Sequence, residues 1–257
     1  MSRLAALSSL LVLFLGLGCD TGPAGPASVR IGHFIPDVPG PQAIDVCLKP
    51  DGTSTYSGKL VQNGGLNFAS VSARNPVDAG TYSLRIVAAN APDCSNSLGG
   101  VGDIGGIGLD GDATVTVALV GLFSGTGSTS VAAKTLADDT AAAAAPAAKL
   151  RYVHFSPELG QVDVGVLSNG TFFELNPAVS LAYAGNTQYF PYTNGASGTL
   201  ALLDSGTSNL RLSGSFSAAG GSVSTVYIVG RPSQTSGDPR LSFLLCNENA
   251  ASCTRFP

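Results

Sequence analysis

Apolar and polar residues alternate with a period of two along most of this chain, in short runs separated by Gly, Pro, Asn and Asp. Residues two apart on an extended strand share a face, so each run predicts a strand with one buried side. The runs lie at Val29–Phe34, Ala43–Leu48, Thr81–Ala88, Thr114–Gly121 and Ser130–Leu136. A second set follows at Leu150–Phe155, Val162–Leu167, Thr199–Leu203, Thr225–Gly230 and Leu241–Cys246. Asp110-Gly111 and Asn169-Gly170 are hairpin-type dipeptides. Only the segment from Leu4 to Leu17 is continuously apolar and helical in character.

The two sets are one pattern written twice. Val29-Arg30-Ile31-Gly32-His33-Phe34-Ile35-Pro36-Asp37 returns as Leu150-Arg151-Tyr152-Val153-His154-Phe155-Ser156-Pro157-Glu158. Ile44-Asp45-Val46 returns as Val162-Asp163-Val164, and Val117–Gly121 as Val226–Gly230. A unit this long is a small domain rather than a solenoid repeat. The expected division is a signal segment 1–18, a tether 19–28, repeat one 29–140, an Ala-rich linker 141–149 and repeat two 150–257 with a C-terminal cysteine loop. Copy one carries extra loop residues around Cys94 to Gly108. Alternation puts Val29, Ile31 and His33 on one face with Arg30 on the other, and opposes Asp45 and Cys47 to Ile44, Val46 and Leu48. If the apolar faces form the core, outward cross-strand pairs Arg30–Asp45 and Arg151–Asp163 follow.

Composition narrows the function classes. Charged residues are 12% of the chain, the net charge is −4, and no Lys/Arg cluster exists. Nucleic acid is therefore excluded as a partner. Arg3 followed by Leu4–Leu17 is an export signal, too short for a bilayer span of roughly 20 residues. With Gly18 before Cys19 it resembles a bacterial lipoprotein signal, although Gly16 stands where that signal usually has Leu; Gly16 and Gly18 also suit ordinary signal peptidase. The resemblance implies acylation of Cys19 and a lipid bilayer as partner. Of five cysteines, Cys19 on lipid leaves four that can pair. Four allow three pairings, and the most local is Cys47–Cys94 with Cys246–Cys253.

His-Phe-x-Pro-(Asp/Glu), then x-Asp-Val, then Gly80-Thr81-Tyr82-Ser83-Leu84-Arg85 and Thr114–Gly121 together resemble the domain-of-unknown-function family numbered 4397. That resemblance implies exported bacterial β-sandwich modules, often tandem and often on lipoproteins, with no established activity to carry over. Copy two departs from the pattern, with Gly198-Thr199-Leu200 in place of Gly-Thr-Tyr. The expected fold is all-β: two tandem Ig-like or transthyretin-like β-sandwich domains after an N-terminal signal helix.

Candidate chemistry is sparse. His33 and His154 each precede a carboxylate, Asp37 and Glu158, by four residues. One histidine and one carboxylate per domain fall short of a zinc site, and a histidine bonded to the turn before Pro36 or Pro157 explains the repetition equally well. Gly100-Val101-Gly102-Asp103-Ile104-Gly105 spells a dinucleotide fingerprint but lacks the helix that such a motif needs, so no nucleotide is expected. Asp103, Asp110 and Asp112 could surround calcium, though a hairpin turn is the simpler account. Tyr183, Tyr189, Phe190 and Tyr192 are the densest aromatic group and a possible binding patch. No nucleophile motif is present, and neither cofactor nor metal is expected. The reading is a non-catalytic, membrane-anchored envelope lipoprotein, structural, adhesive or binding a protein or glycan. The alternative is a secreted hydrolase using Asp37, Glu158 or an unrecognised Ser.

Overall fold

The structure is a computed structural model and describes residues 24–40, 42–56, 60–193 and 195–257. The signal segment, Cys19 and most of the tether lie outside the described residues. In the first unit the strands are β1 (Ala27–His33), β2 (Ala43–Pro50), β3 (Leu60–Asn67), β4 (Ser70–Val71), β5 (Asn75–Val77), β6 (Gly80–Ala88), β7 (Ile104–Leu109), β8 (Thr114–Val120) and β9 (Ala132–Ala137). The second unit has β10 (Ala148–His154), β11 (Val162–Ser168), β12 (Thr171–Leu181), β13 (Phe190–Tyr192), β14 (Ala196–Asp204), β15 (Leu210–Ala218), β16 (Val223–Val229), β17 (Ser242–Asn247) and β18 (Cys253–Phe256). The fold is all-β, as the alternation predicted.

Each unit is two sheets face to face. The first has β3-β2-β6-β7 on one side and β4-β1-β8-β9 on the other, with β5 also paired to β1. The second repeats this as β12-β11-β14-β15 and β13-β10-β16-β17, and then adds β18 outside β17. In both units the first strand runs parallel to its inner neighbour in the sheet, β1 to β8 and β10 to β16. The inward residues behave as predicted: Val29, Ile31, Ile44, Val46, Leu84 and Val117 are buried in one core, with Leu150, Tyr152, Val162, Val164, Leu202 and Val226 in the other.

The outward faces of β1 and β10 do not meet water. They pack on each other, making a third core from Phe34, Val71, Ala118 and Val120 of the first unit and Val153, Phe155, Tyr227 and Val229 of the second. This explains why Val117–Val120 and Val226–Val229 are apolar without alternation: strands buried on both faces have no polar side to show. β1 and β10 are co-directed: Phe34 and Phe155, each following its strand, meet, while Arg30 and Arg151 within the strands both reach Glu248. Phe34 and Phe155 stack at 5.4 Å and Tyr227 lies 4.7 Å from Phe34, at the far end from Arg30 and Arg151.

Two expectations need correction. The extra segment of copy one, read as loop, contains β7; Gly105, Gly106 and Gly108 remove the side chains that would have carried its alternation. The Ala-rich linker gives way to strand at Ala148. Asp138, just ahead of that linker, has a fully buried side chain.

Candidate functional site

The repeated motif residues all have local partners. In both copies the residue before the proline, Ile35 or Ser156, donates its N–H to the histidine Nδ1, at 3.4 and 3.3 Å. That leaves Nε2 to carry the proton and donate to a carbonyl, Gln42 at 3.1 Å for His33 and Gly160 at 3.0 Å for His154. Both histidines are fully buried and stand edge-on to an aromatic ring, Phe68 and Tyr183 respectively. Burial, the largest cause, lowers the His33 pKa from 6.5 to about 4 and lowers His154 in the same direction. They are turn staples.

The carboxylates near them do equivalent work. Asp37 accepts the N–H groups of Phe123 (2.7 Å) and Ser124 (3.0 Å), tying the β1–β2 loop, with Pro36, to the loop after β8. Glu158, beside Pro157, accepts from Arg231 and Ser233 across the matching loops. Asp45 accepts from Gly65 N and Asn90 N, both at 2.7 Å, and Asp163 from Ser205 Oγ and Gly206 N, both at 2.9 Å. The expected Arg30–Asp45 and Arg151–Asp163 pairs are therefore absent. Each aspartate lies on the sheet remote from its arginine and caps adjacent turns there.

Cys47 is bonded to Cys94 and Cys246 to Cys253. The first bridge lies with Val87 under the loop private to copy one. Its counterpart in copy two is Gly165, where an added Cβ would come within 2.3 Å of the Phe173 carbonyl oxygen and 2.4 Å of the Phe172 ring. The aromatic group is dispersed: Tyr183 faces His154, Phe190 and Tyr192 pack on the second core, and Tyr189 lies against Arg151 and Glu248. Extended backbone sends neighbouring side chains to opposite faces, so these rings do not form one platform. Asp103 pairs with Arg85 and Lys49, whereas Asp112 accepts from Gly25 N, so two of the three candidate calcium ligands are engaged apart. Among the described residues no group of three His, Cys, Asp or Glu could hold a metal ion.

What the sequence reading missed is a clasp between the units. Arg30, 1% exposed, donates to Thr116 Oγ1 of its own unit at 2.7 Å, to the Asn247 carbonyl of the other at 3.1 Å, and to Glu248. Arg151 repeats the arrangement in reverse, donating to Thr225 Oγ1 at 3.0 Å, the Ala137 carbonyl at 2.6 Å and Asp138 at 2.7 Å. Register makes Asp138 the counterpart of Glu248, and Thr116 of Thr225. Each unit thus holds the end of the other's strand through an arginine, a carbonyl and a carboxylate. The symmetry breaks at one pair of matching positions, Arg74 and Tyr189, which precede β5 and β13 at the same register. Arg74 bonds Asp138 at 2.8 Å; Tyr189 lies under the Arg151 guanidinium at 4.6 Å and donates to Glu248 at 2.9 Å. The repeat alignment held the signal, since Leu136-Ala137-Asp138 and Cys246-Asn247-Glu248 close equivalent strands.

The family profile described as "Domain of unknown function (DUF4397)" matches residues 27–165, more than half of the 257-residue chain. The chain belongs to the DUF4397 family. The match covers the whole first unit and runs into β11 of the second. No curated protein matches the sequence. Among solved structures the chain is similar to the Bacillus anthracis TIE protein, at 11% identity and a TM-score of 0.21, over 80% of this chain and 34% of that one. It is similar to a leucine-rich repeat protein from Bacteroides thetaiotaomicron at 12% identity and a TM-score of 0.22, over 77% and 25%. It also resembles the fimbrial anchor protein Mfa2 from Porphyromonas gingivalis, at 11% identity and a TM-score of 0.19, over 86% and 97%. The chain spans about a third of the first of these structures and a quarter of the second.

In this DUF4397 chain two buried guanidinium groups and the partly exposed one of Arg74 meet two buried carboxylates. Burial, the largest cause, raises the Glu248 pKa and nearby Asp138 raises it further, while Arg30, Thr225 and Arg151 pull it back. A cleft of about 370 Å³ opens beside Arg30, Arg74 and Glu248 on one side of the clasp. On the other side a groove of about 290 Å³ runs between β9 and residues Asn186–Tyr189. The arrangement joins the two units through reciprocal buried charge pairs.

Proposed function

We propose that this chain is a non-catalytic module of the bacterial cell envelope, anchored by acylated Cys19, that holds two sandwiches as one rigid body toward a protein or glycan partner. The observation that carries this reading is the direction of the two units. Because β1 and β10 are co-directed, the segments leading into both units lie at the clasp end. The equivalent loops after β1, β8, β10 and β16 lie together at the opposite end. The chain upstream is tied at the clasp end, where Gly25 N donates to Asp112 at 3.0 Å and Asp112 N donates to the Gly25 carbonyl at 3.1 Å. An anchor ahead of Gly25 would thus leave the paired loops farthest from the bilayer. Two disulfides add support, since such bonds persist in oxidising compartments. No helix among the described residues is long and apolar enough to cross a membrane.

The test is protease accessibility of the tagged full chain on intact cells, beside a Cys19→Ala variant. Membrane association is expected for the parent and lost in the variant; retention in the variant removes the lipid anchor from the reading. Cleavage on intact cells supports surface presentation. Protection until the outer envelope is broken redirects the partner search to the periplasm.

A further inference from the structure

The duplication leaves one sheet edge filled in the second unit and bare in the first. β17 is bordered by β18, with Phe243 opposite Phe256, Leu244 opposite Arg255, Leu245 opposite Thr254 and Cys246 opposite Cys253. By register against β8 and β16, the matching positions on β9 are Ala133, Lys134, Thr135 and Leu136. Among the described residues no strand pairs with the outer edge of β9, and Lys134 and Thr135 are exposed.

The backbone there is poised to pair. Asp138 N donates inward to Thr114 O at 2.8 Å, whereas the Ala137 carbonyl points outward to Arg151 at 2.6 Å. The two-residue period of a strand then turns the N–H and C=O of Ala133 and Thr135 outward as well. The groove along this edge is walled by Asn186–Tyr189 of the second unit. The related position on the other side holds β18, with Cys253 packed into the inter-unit core and Arg255 over the Phe68 ring at 5.5 Å. Phe68 and Tyr183 correspond, each standing at 6.1 Å and 87° to its histidine.

We propose that β9 accepts an extended, acidic segment of a partner protein as an added antiparallel strand, seated as β18 is on β17. Lys134 replaces Leu244, so the partner residue opposite it is Asp or Glu. Ala133 replaces Phe243, so the residue opposite it is large and apolar and fills the space the missing phenyl ring leaves. Opposite Leu136 a small apolar residue suffices. This chain's own β18 is held back by the Cys246–Cys253 bridge across seven residues. A second β9 is disfavoured because it brings a second Lys134 to the same edge, and like charges across strands repel. The proposal rests on the duplicated fold and stands whether or not Cys19 is acylated.

The experiment uses two fluorescein-labelled peptides of residues 250–257 carrying Cys253→Ala, one with Arg255→Glu and one keeping Arg255, titrated against the full chain by anisotropy. The Arg255→Glu peptide is expected to bind at least ten-fold more tightly, and Lys134→Glu in the protein to invert that preference. Hydrogen exchange in the complex is expected to slow within residues 132–137. A Thr135→Pro variant leaves the inward β8 ladder intact but removes an outward N–H, and is expected to abolish binding. Failure of both peptides to saturate, equal affinity for the two, indifference to Lys134→Glu, or protection elsewhere overturns the proposal.

Discussion

Arg30 and Arg151 each place a guanidinium where water does not reach, and each is satisfied only by groups from both units. Breaking such a cluster by removing one partner leaves a buried charge uncompensated, which costs about 3–5 kcal/mol. Glu248→Ala is therefore expected to lower the unfolding free energy of the full chain, read by urea titration, by an amount in that range, against little change for exposed Glu174→Ala. Alternation placed both arginines opposite the sandwich core, and that was correct. It could not reveal that opposite meant toward another unit, because a strand's period fixes a face and not what covers it. His33 gives a pH dependence. Its pKa is lowered from 6.5 to about 4 by burial, so the unfolded chain takes the proton first. Stability is full above pH 6.5 and falls with pH between those values, by about 3 kcal/mol for a shift of this size. His154 adds to the loss in the same direction. Thermal unfolding of His33→Gln, whose amide can still donate to the Gln42 carbonyl, is expected to vary less with pH across that interval.

At the level of elements, the two copies differ where one face of a sheet is closed by different means. Copy one closes it with the loop held by Cys47–Cys94, a cross-link over 47 residues worth about 4 kcal/mol by chain entropy. The Cys47→Ser, Cys94→Ser pair is expected to lose up to that amount in chemical denaturation. Copy two closes the matching place with Phe172, folded over Gly165. Gly165→Val is expected to push β12 off β11 and destabilise by about 1–3 kcal/mol, detectable as faster amide exchange along Thr171–Leu181. Strands with clear alternation, such as β1, β2 and β6, were legible to within about two residues. β7 and β15 were not, since Gly105, Gly106 and Gly108 in one and Ser213, Gly214, Ser215 and Ser217 in the other carry little apolar contrast. β18 was hidden because Cys253–Phe256 is short and earns its place only by lying on β17. The most local cysteine pairing proved right because each pair lies within one unit.

For the molecule as a whole, the third core and the clasp make the two sandwiches one cooperative body. A single unfolding transition is expected by calorimetry. Phe34→Asp, which puts a charge into the stack with Phe155 and Tyr227, is expected to split it into two or to shift both units down together by several degrees. Two independent transitions in the parent chain would contradict this. The reciprocal clasp also bears on how the gene can change. Duplicated segments can be lost by recombination between their copies, yet here a copy shed alone would leave the clasp groups of the other unmatched. A chain cut back to the first unit would keep Arg30 and Asp138 but lose Glu248 and Arg151, their partners in the second unit. A route to closure would be a second molecule of itself in the place of the second unit, with Arg30 of each meeting Asp138 of the other. The duplication thus reads as a homodimer fused into a single chain, its two halves matched by charge.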